Sequence, residues 1–132
     1  MRSADPAALR ALDLRFHQAV DQAVDAENAR WEQRGRVSAN KVLVGSRPAG
    51  SMAASAPIVQ TALSVTRALG RTPELSEGST DANLPISLNI PAITIDAGGT
   101  GTGSHTLKET FDSTESWLGT QRALLVAVGL TE

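Results

Sequence analysis

The run from Gly78 to Glu109, GSTDANLPISLNIPAITIDAGGTGTGSHTLKE, places the tightest limits on what this chain can fold into. It reads as a polar turn, a short helix, a buried strand and a glycine-rich loop ending at one histidine. Pro91-Ala-Ile-Thr-Ile95 is apolar and β-branched, as a strand covered on both faces requires. Gly98, Gly99, Gly101 and Gly103 follow, and glycine lets a backbone approach a ligand closely. An α/β fold presents its chemistry at strand tips, so His105 is expected at such a tip.

Composition narrows the partners. With 132 residues and 41% hydrophobic content, the chain can build a core of ordinary domain size. A net charge of -2 without a long single-sign run leaves no footprint for nucleic acid or an anionic membrane. No cysteine is present, so disulfides and thiolate zinc sites are excluded, and a cytoplasmic location is expected. Any metal would rest on His, Asp or Glu. No segment approaches the ~20 apolar residues of a membrane span, and MRSADPAALRALDLRF lacks a signal-peptide core.

Local signals divide the chain. Asp5-Pro6 predicts a helix start, with Leu9, Leu12, Phe16, Ala19 and Ala23 on its inner face, running to about Trp31 before Gly35. Arg36 to Val44 predicts a strand, and Gly45-Ser-Arg-Pro-Ala-Gly50 breaks it, so a domain boundary is placed there. Ser55 and Pro57 open a second helix carrying Ile58, Ala62, Val65 and Leu69, closed by Gly70. Glu74 to Ser76 predicts a short strand, Asp81 a cap for a helix through about Leu88, and Ser113 the start of a last helix. Trp117, Leu118, Leu124, Leu125 and Val128 are that helix's expected buried side.

Four motifs together resemble a known family. Met1-Arg2-Ser3 looks like the end of its D-[LM]-R-S lid strand, and Arg47-Pro48-Ala49-Gly50 like its return to the catalytic domain. Ser79-Thr80-Asp81-Ala82-Asn83 looks like its S-T-D-A-N turn, and Gly99 to Glu109 like its G-G-x-G-x-G-[AS]-H-[ST]-x-x-E loop. The chain thereby resembles the dinuclear zinc exopeptidases and deacylases, the family of peptidase T, carboxypeptidase G, acetylornithine deacetylase and succinyl-diaminopimelate desuccinylase. The likeness spans essentially the whole chain, but only the back portion of such an enzyme. The family's H-x-D pair, bridging Asp, Glu-Glu pair and further carboxylate have no counterpart here, and Met1 is then expected to be an internal methionine. Asn89 stands where the family has Gly, and Asp96-Ala97 replaces a glycine pair.

The resemblance implies roles residue by residue. His105 would be a zinc ligand, the last of a two-ion cage, against the plain alternative of a capping or surface histidine. Arg2 would grip a substrate carboxylate, and Ser79, Thr80, Asn83 and Gly99 would face the substrate, although the same turn also reads as a helix start capped by its own side chains. Glu109 is expected to be a structural partner or a support for a metal ligand rather than the general base, and no catalytic residue falls within the chain. His17, Trp31 and Trp117 are assigned structural or surface roles. Spacing argues against a nucleotide loop, since neither Lys after Gly103 nor a third glycine at Ser104 is present.

The expected fold is therefore α/β: the C-terminal part of a zinc-peptidase sheet with flanking helices over residues 47–132, and part of an α+β lid or dimerisation domain over residues 1–46. The implied activity is zinc-dependent hydrolysis of a peptide or N-acyl amino acid by metal-activated water, absent from the isolated chain. The competing expectation is a non-catalytic dimerisation or interaction module, with a homodimer as its form. No nucleic-acid or membrane partner is expected.

Overall fold

The computed structural model describes residues 1–31 and 35–131, and the chain divides into two compact units, Met1–Ser51 and Met52–Glu132. The division falls after Ser51, a few residues beyond the expected boundary at Ser46.

The first unit is built on α1, Pro6–Arg30. Its start follows the sequence logic: the Asp5 carboxylate accepts the Ala7 amide at 2.8 Å and Pro6 occupies the first helical position, where no amide partner is needed. Arg30 in the last turn complements the negative end of the helix. The inner face differs from the expected one. Leu12 and Phe16 are 44% and 51% exposed, and the half-buried residues are Leu9, His17, Val20, Val24, Glu27 and Asn28.

That rotation has a cause in the segment that follows. The Asn28 side chain clasps the backbone of Val37, donating from Nδ2 to the carbonyl at 3.0 Å and accepting the amide on Oδ1 at 2.8 Å. Lys41 then pairs with Asp21 and donates to the His17 carbonyl at 3.5 Å. The return segment thus runs antiparallel to α1 along its polar flank. Residues 36–44 were expected to form a strand, and they form no ladder, because a helix side chain fills the place of a strand neighbour at Val37. Trp31 is 41% exposed, with its indole N–H donated to Glu27 at 2.7 Å.

The second unit packs α2, Pro57–Ala68, against α4, Trp117–Gly129. Ile58, Ala62, Val65 and Leu69 of α2 are half-buried as the spacing predicts, and Val59 is the residue buried most deeply. Gly70, at φ +73°, closes α2: its amide reaches the Arg67 carbonyl at 2.9 Å and the Arg71 amide reaches Thr66 at 3.1 Å. The same closure recurs after α3, Asn83–Ser87, with Asn89 at φ 61° taking the glycine's part. There the Asn89 amide bonds Ile86 at 3.0 Å and the Ile90 amide bonds Pro85 at 2.9 Å. Asparagine enters this left-handed conformation more readily than most residues, which is why it serves at position 89.

Helix α4 begins later than expected. Glu115 sits at φ 62°, which interrupts helical geometry, and Asp112 draws the Thr114 amide into a side-chain turn at 2.9 Å. The buried side is also displaced from the expected one, to Leu118, Gly119 and Val126, while Trp117 and Leu124 are 56% and 64% exposed. Gly119 sets this rotation. A Cβ there would overlap the carbonyl of Ala97, so the helix rests backbone to backbone on residues 97 and 98.

The expected strands at 74–76 and 91–95 are likewise outside any ladder. The one ladder among the described residues joins β1, Thr100–Thr102, to β2, Thr110–Asp112, antiparallel with Gly101 opposite Phe111. No helix among the described residues is long and apolar enough to cross a membrane.

Three substitutions test this account. Gly119→Ala should lower unfolding free energy by about 3 kcal/mol in a urea titration, because the added methyl has no relaxed position, whereas Gly45→Ala, with open space around it, should change little. Asn28→Leu should accelerate hydrogen exchange at the Val37 amide while leaving the amides of α2 unchanged.

Candidate functional site

The glycine-rich run folds as a hairpin. Asp96 begins it by accepting the Gly98 amide on its carboxylate at 2.9 Å, and Gly98 and Gly99 then turn the chain through φ +77° and +73° into β1. The residue at 96 that departs from the family pattern is thus a turn former. A Cβ on Gly99 would stand 2.6 Å from both the Asp112 carbonyl and the Phe111 ring, and one on Gly98 would stand 2.8 Å from the Ser116 carbonyl. The close approach anticipated between these glycines and a ligand is made by the chain's own β2 and α4.

His105 lies in the loop joining β1 to β2. Gly103 to Thr106 closes one turn through the Thr106 amide at 3.1 Å, and Thr106 to Glu109 closes the next at 3.2 Å. His105 takes the third place of the first turn at φ 65°, a position that favours glycine or asparagine. Its backbone N–H donates to the Glu109 carboxylate at 3.2 Å, so Glu109 supports the loop as anticipated. The imidazole itself makes no hydrogen bond or ion pair among the described residues, and the residue is exposed. The ring is a surface group, and it caps nothing.

The turn at 79–83 bonds within itself. The Asn83 side chain accepts the Thr80 amide at 2.8 Å and the Asn83 amide returns to the Thr80 carbonyl at 3.1 Å, which closes the turn; the cap position of α3 falls at Ala82, one residue past the expected Asp81, and carries no side-chain cap bond. The Thr80 hydroxyl also meets that of Thr94 at 2.6 Å, which ties the turn to the 91–95 segment. Thr94 was not singled out in the sequence, although its place between Ile93 and Ile95 marks it as the odd face of that segment. Arg2, in the first unit, is exposed.

A concavity of the second unit lies elsewhere. A groove of about 570 Å³ is walled by residues 71–76 and 93–100 and floored by Val59, Leu63 and Leu118. Arg71 pairs with Glu115 at 2.5 Å, both residues lining the groove. The Arg122 guanidinium donates to the Asp96 carbonyl at 3.3 Å, while its Nε is buried without a partner among the described residues. Gly99 is the one anticipated site residue among those lining the groove; neither His105 nor residues 79–83 do so. Arg71, Glu115 and Arg122 carried no sequence signal beyond ordinary surface charge.

No protein-family model matches this chain, and no curated protein matches it either.

Asp112, at the end of β2, is the titrating group whose environment is distinctive. The Thr114 backbone N–H, and then its hydroxyl, hold the carboxyl below its ordinary value of 3.8. A depressed folded pKa stabilises the hairpin end above the unfolded value, and that contribution is lost as pH falls below 3.8 through the folded midpoint. Carbon-detected NMR titration should place the Asp112 midpoint below 3.8, and Thr114→Val should move it part of the way back. His105→Asn should leave stability within about 0.5 kcal/mol in a urea titration, since nothing in the loop bonds the ring.

Proposed function

We propose that this chain is the C-terminal portion of a zinc-dependent metallopeptidase or amidohydrolase acting on peptide or N-acyl amide bonds. The observation that carries the reading is His105: an unbonded, exposed imidazole held at a left-handed position in the loop whose sequence resembles the family's last metal-ligand motif. Backbone held in a sparsely populated region is grounds for a functional hypothesis at that residue. The 79–83 turn supports it, since the Thr80 hydroxyl is held by that of Thr94 before any substrate arrives.

Zinc does not fit these residues alone. Among the described residues no three His, Asp, Glu or Cys side chains gather to hold a metal, and Glu109 already accepts the His105 amide. A single imidazole is too few ligands for a catalytic zinc, which takes three protein groups and a water. No hydrolytic step is therefore assigned to this chain, and His105 is proposed as one ligand contributed to a centre completed by other residues. Arg2 and Gly99 keep their proposed substrate contacts within that larger enzyme.

Two measurements test the proposal. The reading frame preceding the first codon should encode H-x-D and Glu-Glu segments in phase; an in-frame stop beside a ribosome-binding site overturns it. The 132-residue chain dialysed against zinc should retain far less than one ion per molecule by atomic absorption. One tightly retained ion, unaffected by His105→Ala, would place the metal elsewhere and remove the basis of the reading.

A further inference from the structure

The unmet demand in the second unit is for backbone partners. The walls of the groove, residues 72–76 and 93–97, lie outside every helix and ladder and make no backbone-to-backbone hydrogen bond among the described residues, with each other or elsewhere. Arg122 donates to the Asp96 carbonyl at 3.3 Å, and its buried Nε still lacks an acceptor among the described residues. Each wall is about 17 Å long at ~3.3 Å per residue, the span of an ordinary strand. Between them lies an apolar floor of Val59, Leu63 and Leu118. Unpaired peptide groups flanking an apolar floor are what an added strand satisfies. The strands of this unit, β1 and β2, already pair with each other, so the added strand comes from outside the unit.

Charge selects the kind of strand. Arg71 and Glu115 neutralise each other, whereas Glu74 has no ionic partner among the described residues, and the lining carries Glu74, Asp96 and Glu115 against Arg71 and Arg122. A cation beside Glu74 is therefore favoured. The same carboxylate opposes self-pairing: a two-fold antiparallel pairing of residues 72–76 with those of another copy centres on Glu74 and sets like charges opposite one another.

We propose that the groove between residues 72–76 and 93–97 is a docking site for an extended segment of a different protein. The segment is about five residues long, apolar and β-branched at the alternate positions that meet the floor, with a lysine or arginine beside Glu74. Its backbone pairs with the walls, and one of its carbonyls accepts from Arg122 Nε. The proposal does not depend on the hydrolase reading.

Fluorescence anisotropy with a labelled, end-blocked peptide of sequence KVTVTV should show saturable binding to the whole chain. Methylating alternate backbone nitrogens of that peptide should abolish binding, since the change removes donors while keeping the apolar side chains. Glu74→Lys, at an exposed position, should weaken binding at least about tenfold with helical circular dichroism unchanged, and the peptide EVTVTV should recover it on that variant. Absence of saturable binding, equal binding of the methylated peptide, or indifference to Glu74→Lys would each overturn the proposal. So would a dimer in sedimentation velocity that the peptide dissociates, because the groove would then belong to a second copy.

Discussion

The contact between Gly119 of α4 and the Ala97 carbonyl governs the second unit more than any side-chain packing does. Because position 119 has no Cβ, the helix settles onto residues 97 and 98, which turns Leu118 and Val126 toward α2 and leaves Trp117 and Leu124 outward. The same approach fixes where the chain leaves Asp96, and hence where β1 begins. Gly98 and Gly99 then reverse the backbone under Ser116 and Phe111, so the hairpin bearing His105 projects from a point set by helix packing. A single absent methyl therefore links the core to the loop.

The parts of the fold that were legible in the sequence are those settled within a few residues. Asp5-Pro6, Pro57, Gly70 and Asn89 each act on backbone groups no more than five positions away, and each appears where its chemistry predicts. Strands are different, because apolar β-branched residues declare a need for neighbours without supplying them. Residues 36–44, 74–76 and 91–95 all carry that need, and none finds a ladder among the described residues. The stripe on α1 was misjudged for a related reason: the polar flank holding Asn28 and Asp21 is covered by a return segment that hydropathy alone does not locate.

At the candidate site, type and position were legible while convergence was not. The loop motif places His105 between two turns, and Glu109 supports it through a local bond of the kind that spacing anticipates. A metal centre also requires distant groups to meet, and the carboxylates nearest in sequence are already engaged: Asp96 on Gly98, Asp112 on Thr114 and Glu109 on the loop itself. Glycine enrichment misled in the opposite direction. Tight approach of backbone to something was legible at Gly98 and Gly99, but sequence does not say whether that something is a ligand or the next helix.

The groove and the exposed apolar residues express one imbalance. Only Val59, Leu118 and Val126 form the buried apolar core among the described residues, while Leu43, Val44, Leu107 and Leu124 stand in solvent at 64% exposure or more. Apolar surface of that extent is unfavourable in water, and single scattered residues are tolerated far better than contiguous ones. Arg71, Glu115 and Arg122 moderate this locally by placing charge along the groove, which keeps its rim hydrated while its floor stays apolar. The Nε of Arg122, unpaired among the described residues, sharpens the point: a buried donor without a partner is costly, and a backbone carbonyl entering the groove is the kind of acceptor it lacks. Covering the floor and satisfying the walls are thus one physical requirement, met by any extended segment that brings apolar side chains and peptide groups together.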